Sequence, residues 1–309
     1  MLIFLSILGG FLILTLGAEA LVRGASAIAL RLGVTPLVIG LTIVAFGTSA
    51  PELAVSVKSA LAGSPGIALG NVVGSNIANI GLILGLTALI RPIGVQSQML
   101  RRDIPLMIVA SVLVWLLLID NVLGLWDGVL LSGLLAAYLL YNYYISKDND
   151  VEEIEEGPRN PLLSVLFVIF GIGCLVGGGV LFVNGAVDLA RTFGISEVVI
   201  GLTIIAIGTS MPELVTSMVA AMKGQSDIAI GNVVGSNLFN LLGILGVTAL
   251  VHPISAAGFS ALDFGVMLAL TVLVLPLART GYRIGRRDGL LLLVAYLGYM
   301  AWLVNHAVM

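Results

Sequence analysis

Two hexapeptides in this chain, GTSAPE at 47–52 and GTSMPE at 208–213, each place a carboxylate directly after a proline and within one helical turn of two hydroxyls. Thr48 and Ser49 lie four and three residues before Glu52, as Thr209 and Ser210 do before Glu213, so a helix would turn hydroxyl and carboxylate toward one face. A second motif pair, GNVVGSNIAN at 70–79 and GNVVGSNLFN at 231–240, spaces Asn71, Ser75 and Asn79 by four and repeats the spacing in Asn232, Ser236 and Asn240. Carboxylate, hydroxyl, amide and backbone oxygen are the hard ligands that calcium gathers six to eight at a time. Two carboxylates would neutralise one divalent ion. Cys174 is the single cysteine, and His252 and His306 sit near segment ends, so no thiolate or imidazole cluster competes and no organic cofactor is implied.

The elements that carry these groups are membrane helices. Hydrophobic residues make up 59% of 309 positions, charged residues 10%, and the mean hydropathy is +1.14, well outside the range of soluble domains. Stretches long enough to cross a bilayer recur ten times, at about 1–22, 34–61, 68–90, 103–120, 124–146, 161–184, 195–222, 229–251, 260–278 and 288–307. With this count, twelve of the fourteen lysines and arginines fall on one side and only Lys58 and Arg191 on the other. Positive loops stay cytoplasmic, which predicts both termini outside and the acidic linker 147–160 inside. The expected setting is the plasma membrane, with lipid as the main partner and no nucleic-acid surface.

A shift of 161 residues aligns Gly40–Ile93 with Gly201–Ile254 without a gap, with about 32 of 54 positions identical. The chain is thus a duplication: a first five-helix repeat over 1–146 and a second over 161–309. An odd number of spans per copy inverts the second in the membrane, and inverted repeats set their sites near the midplane, where broken helices meet. Pro51 and Pro212 supply the breaks by depriving Gly47 and Gly208 of their helical donors. Glu52 and Glu213 are the acidic residues set deep in spans, with no lysine or arginine at their depth. Such carboxylates are functional candidates by default. Glu19 has no counterpart in the second copy and is read as interfacial or structural; Asp103, Asp120, Asp127, Asp263 and Asp288 are read as interfacial caps. The glycines at 70, 74, 231 and 235 suit close helix packing.

The residues GTSAPE, GNVVGSNIAN, GTSMPE and GNVVGSNLFN resemble the paired repeats of the cation/calcium antiporter superfamily, most closely its compact prokaryotic sodium/calcium exchangers. The resemblance implies an all-α fold of ten transmembrane helices in two inverted five-helix repeats, with spans 2, 3, 7 and 8 around the ions and spans 1 and 6 sliding past them. It implies calcium bound by Glu52, Glu213 and the carbonyls of Thr48 and Thr209. Sodium would use the same glutamates with Ala45, Ser49, Ser75, Ala206, Ser210 and Ser236, and Asn79 and Asn240 would lie centrally. Relatives that use potassium carry Asp where this chain has Asn240, which implies one fewer negative charge and argues against potassium co-transport. The transport unit is expected to be a single chain. Proton-coupled exchange through the same glutamates is the alternative. An intramembrane protease is disfavoured, since paired intramembrane aspartates, an HExxH motif and a serine elbow are all missing from the sequence.

Overall fold

A computed structural model describes the backbone of residues 2–146, 160–194, 206–256 and 260–308, and the side chains of all these except 2, 145, 146, 206 and 306–308. The linker at 147–159 and the start of the seventh expected span, 195–205, lie outside the described residues.

The described chain is helical: α1 (Leu2–Leu32), α2 (Pro36–Thr48), α3 (Ala50–Leu61), α4 (Pro65–Ile90), α5 (Met99–Asp120), α6 (Leu125–Ser146), α7 (Pro161–Thr192), α8 (Ala206–Thr209), α9 (Met211–Met222), α10 (Ser226–Val251), α11 (Ala261–Arg279) and α12 (Arg286–Val308). Among the described residues, eight helices are long and apolar enough to cross a membrane, and α2 with α3 forms a ninth span bent by 46°. Proline opens α2, α4 and α7, where its missing N–H costs no helical bond. The equivalent Gly63 and Gly224, at φ 78° and 83°, turn the chain after α3 and α9 in a conformation that side chains disfavour.

Two helices outrun their expected spans. α1 continues ten residues past 22 and α7 eight past 184, so Arg23, Arg31 and Arg191 belong to helices and not to loops. Hydropathy ends where charge begins, but the helix does not, because Ala25, Ser26 and Ala29 still pack inward.

The halves interlock. The 18-residue apolar cores of α4 and α10 are 78% and 83% buried, against 39% and 28% for α1 and α7, so the motif helices form the centre. Val72, Ile77 and Ile80 share one core with Val233, Val234 and Leu238. At the periphery α1 and α7 pack along a glycine seam: a Cβ on Gly10 would lie 2.5 Å from Phe182 N, and one on Gly171 would lie 2.6 Å from Leu21 N. Short antiparallel pairs tie the ends: β1 (Ile93–Gly94) with β4 (Arg283–Ile284), and β2 (Val122–Leu123) with β3 (Ile254–Ser255). α5, about 33 Å long, runs between β1 and β2, so the two pairs lie toward its opposite ends.

Candidate functional site

Each copy builds its part of the site from a proline-induced break. Pro51 offers no N–H to Gly47, and the helix stops at Ser49 (φ −85°, ψ 7°) before restarting as α3. Ser210 (φ −88°, ψ 8°) does the same between α8 and α9. Glu52 and Glu213 stand in the first turns of the restarted helices, both 1% exposed.

The two breaks are stitched together across the halves. Ser49 Oγ donates to Glu213 Oε1 at 2.8 Å, and Ser210 Oγ donates to Glu52 Oε1 at 3.3 Å. Each serine therefore serves the glutamate of the other copy, not the one three residues ahead on its own helix as i,i+3 spacing suggested. The break at the serine rotates its side chain away from its own carboxylate.

The amide stripes hold the backbone below. Asn71 Nδ2 donates to Glu52 O at 3.1 Å and Ser56 Oγ at 3.0 Å; Asn232 Nδ2 donates to Glu213 O at 3.3 Å and Ser217 Oγ at 2.9 Å. Thr48 Oγ1 has its one hydrogen to share between Asn232 Oδ1 at 3.0 Å and Ala45 O at 3.2 Å, and lies 3.5 Å from Ser236 Oγ. Ser75 and Ser236 are buried at 2% and 0%. Asn79 opens a π-helical stretch, Asn79–Leu84, and Asn240 lies in its counterpart, Phe239–Ile244. Wider turns of this kind re-aim side chains and recur at functional sites. Ala206 begins α8, its side chain outside the described residues, and Thr209 follows in the same short helix.

What the arrangement leaves over is four oxygens. Glu52 Oε2, Glu213 Oε2, Asn79 Oδ1 and Asn240 Oδ1 are buried and have no hydrogen-bond partner, and they form two repeat-equivalent pairs. Arg23 and Lys223 pair with Glu19, Arg102 with Asp103 and Arg191 with Asp188, all away from the two central glutamates. Acceptors buried without donors are costly, and a bound cation would satisfy carboxylate and amide oxygens at once. Among the described residues no three His, Cys, Asp or Glu gather in one place, so the central pair of carboxylates is supplemented by neutral oxygens alone. A cavity of about 160 Å³ lies beside both breaks, bounded by Pro51, Val55, Thr209, Pro212 and, on α7, Val180 and Asn184.

Outside the site, Glu19 is structural as expected: its Oε1 lies 2.6 Å from Arg23 and 3.1 Å from Lys223, tying α1 to the end of α9. The reading of Asp103 as an interfacial cap is corrected. Its side chain is fully buried and takes a bond from Tyr138 Oη at 3.2 Å, because α5 starts four residues earlier than its hydropathy and places Asp103 inside the bundle. Asp263 receives the matching bond from Tyr299 at 2.7 Å. Asp120, Asp127 and Asp288 do cap, each accepting from a backbone N–H two or three residues away.

Asn76 and Asn237 fall off the i,i+4 stripes, so spacing alone does not assign them to the site, yet both are 1% exposed and bond across the halves to the site asparagines. Their identity in both copies of GNVVGSN was the available signal.

The family model described as "Sodium/calcium exchanger protein" matches residues 2–144 and again 163–305, the second match starting 161 residues after the first. The sodium/calcium exchanger MaX1 of Methanosarcina acetivorans is 34% identical, over 96% of this chain and 97% of that protein. The inner membrane protein YrbG of Escherichia coli is 39% identical, over 95% of this chain and 94% of that protein. Among solved structures, the sodium-calcium exchanger NCX_Mj soaked with 2.5 mM Na+ and 0.1 mM Ca2+ superposes with a TM-score of 0.86 at 33% identity, covering 97% of this chain and 98% of that one.

Proposed function

The chain belongs to the sodium/calcium exchanger protein family, and from that premise we propose that this multi-pass membrane cation/calcium antiporter exchanges sodium for calcium by alternating access at the site between the two helix breaks. One observation carries the reading: the oxygens of Glu52, Glu213, Asn79 and Asn240 that are paired by the repeat and buried without a hydrogen-bond partner. In this reading Glu52 and Glu213 with the carbonyls of Thr48 and Thr209 bind calcium. Sodium ions occupy the same carboxylates together with Ala45, Ser49, Ser75, Ala206, Ser210 and Ser236. Shared ligands make the two ion types compete, and competition couples their movement. A site cleared of cations would confront two carboxylates in a low dielectric, which disfavours crossing between the outward and inward states unloaded.

The architecture we infer is ten spans, with repeat 1–146, the cytoplasmic linker 147–160 and repeat 161–309 inverted. The strand pairs support it. β1 and β3 are equivalent under the 161-residue shift, as are β2 and β4, so the repeat exchanges β1·β4 with β2·β3, and these stand at opposite ends of α5. A two-fold axis in the membrane plane does this. The charge asymmetry of the sequence supports termini outside and the linker in the cytoplasm.

The test is radiolabelled calcium uptake into proteoliposomes under sodium, potassium and proton gradients imposed one at a time. Sodium-driven uptake that Glu52→Gln or Glu213→Gln abolishes is the expected result. Uptake driven by a pH gradient in sodium-free vesicles would replace sodium with proton coupling, and wild-type uptake by both variants would overturn the site.

A further inference from the structure

Asn79 and Asn240 each have one amide atom bound and one amide atom without a partner. Asn79 Nδ2 donates to Asn237 Oδ1 at 2.9 Å, and Asn240 Nδ2 donates to Asn76 Oδ1 at 2.9 Å, while the Oδ1 of each has no hydrogen-bond partner. Asn76 and Asn237 are in turn held. Asn76 Nδ2 donates to the backbone oxygen of Asn237 at 3.4 Å and lies 3.9 Å from Met267 Sδ; Asn237 Nδ2 lies 3.5 Å from Met107 Sδ. Turning any one of the four amides over would face oxygen with oxygen or NH2 with NH2. Each site asparagine is therefore held by a residue of the opposite half, Asn240 the more firmly, since turning Asn76 with it would also lose the bond to Asn237 O.

We propose that Asn76 and Asn237 are positioning residues for transport, which keep the amide oxygens of Asn79 and Asn240, and not their NH2 groups, turned to the ion. The proposal rests on the reading of Asn79 and Asn240 as part of the cation site. Neither positioning residue touches the ion. Their effect is one of sign, because a primary amide is nearly symmetric in shape but presents a negative oxygen on one edge and positive hydrogens on the other. An apolar side chain at 76 would fill similar space and leave Asn240 free to turn. An aspartate at 76 would lose the donor to Asn237 O and add a third charge.

A carboxylate cannot be turned the wrong way, and this separates orientation from packing. Asn76→Leu is made in the natural chain and in an Asn240→Asp background, and calcium binding by the purified protein is titrated in detergent, with calcium alone as the probe. Asn76→Leu is expected to weaken binding about fivefold or more where residue 240 is Asn. Where residue 240 is Asp, whose two side-chain oxygens are equivalent and would meet Asn76 Oδ1 oxygen to oxygen, the same change should cost less than about twofold or strengthen binding. The mirror cycle, Asn237→Leu with and without Asn79→Asp, reads the same effect should the first set not fold. An equal penalty in both backgrounds, or none in the natural one, overturns the proposal. Because the readout is binding, it stands apart from the exchange reading: calcium binding without sodium-driven flux would sink that reading alone, and sodium-driven flux with an additive cycle would sink the lock alone.

Discussion

Ser49 donates its hydroxyl hydrogen to Glu213, 164 residues away, and not to the glutamate on its own helix. The bond crosses the junction of the two copies, so each half completes the site of the other. Ser210 returns it to Glu52 at a longer distance, 3.3 Å against 2.8 Å.

Ser49→Ala should raise the calcium KM of vesicle uptake by roughly tenfold, since a hydrogen bond to a charged group is worth about 1.5–3 kcal/mol. Ser210→Ala should raise it less, in keeping with its longer bond. A larger loss at Ser210 than at Ser49 would contradict the unequal geometry.

Asn232 is fully buried and joins three partners, Glu213 O, Ser217 Oγ and Thr48 Oγ1. Asn232→Ala strands those groups and should cost about 2–4 kcal/mol, read as a fall in the Tm of the purified protein. Asn71→Ala, at a half-buried position, should cost less. Equal losses would argue against burial as the cause.

The glycine seam predicts a sharp contrast on a single helix. In Gly171→Ala the new methyl would meet Leu21 backbone that cannot yield, at a cost of about 1–3 kcal/mol. Gly173→Ala, with no described atom within 4 Å of its Cβ position, should be neutral or slightly stabilising through helix propensity. Thermal unfolding of both variants decides it, and indifference to Gly171→Ala would show that α1 and α7 do not meet there.

Lys223→Met and Glu19→Gln break the ion pair between α1 and α9 but should change stability by less than about 1 kcal/mol, because both side chains are partly exposed, at 25% and 39%. A Tm drop as large as that of Gly171→Ala would make the pair a main anchor of α1.

Much of this protein was legible in its residues. The duplication, the two breaks, the central glutamates and the polar stripes follow from Pro51, Glu52, Asn71 and their copies, because proline chemistry, helical spacing and the cost of charge in lipid act locally. The span ends were less legible. Hydropathy reports where polarity begins, and α1 carries Arg23 and Arg31 past that point because its buried face continues.

Partners across the halves could be decided only by the fold. Spacing relates Ser49 to Glu52, but the break turns it to Glu213; the stripe isolates Asn79 from Asn76, but π-helical turns and the interlocking of α4 with α10 bring Asn79 to Asn237 and Asn240 to Asn76. Within one chain segment a helix dictates neighbours by periodicity. Between segments, contact depends on how two curved, broken helices cross, which is set by the packing of the whole bundle and is written in no single stretch of sequence.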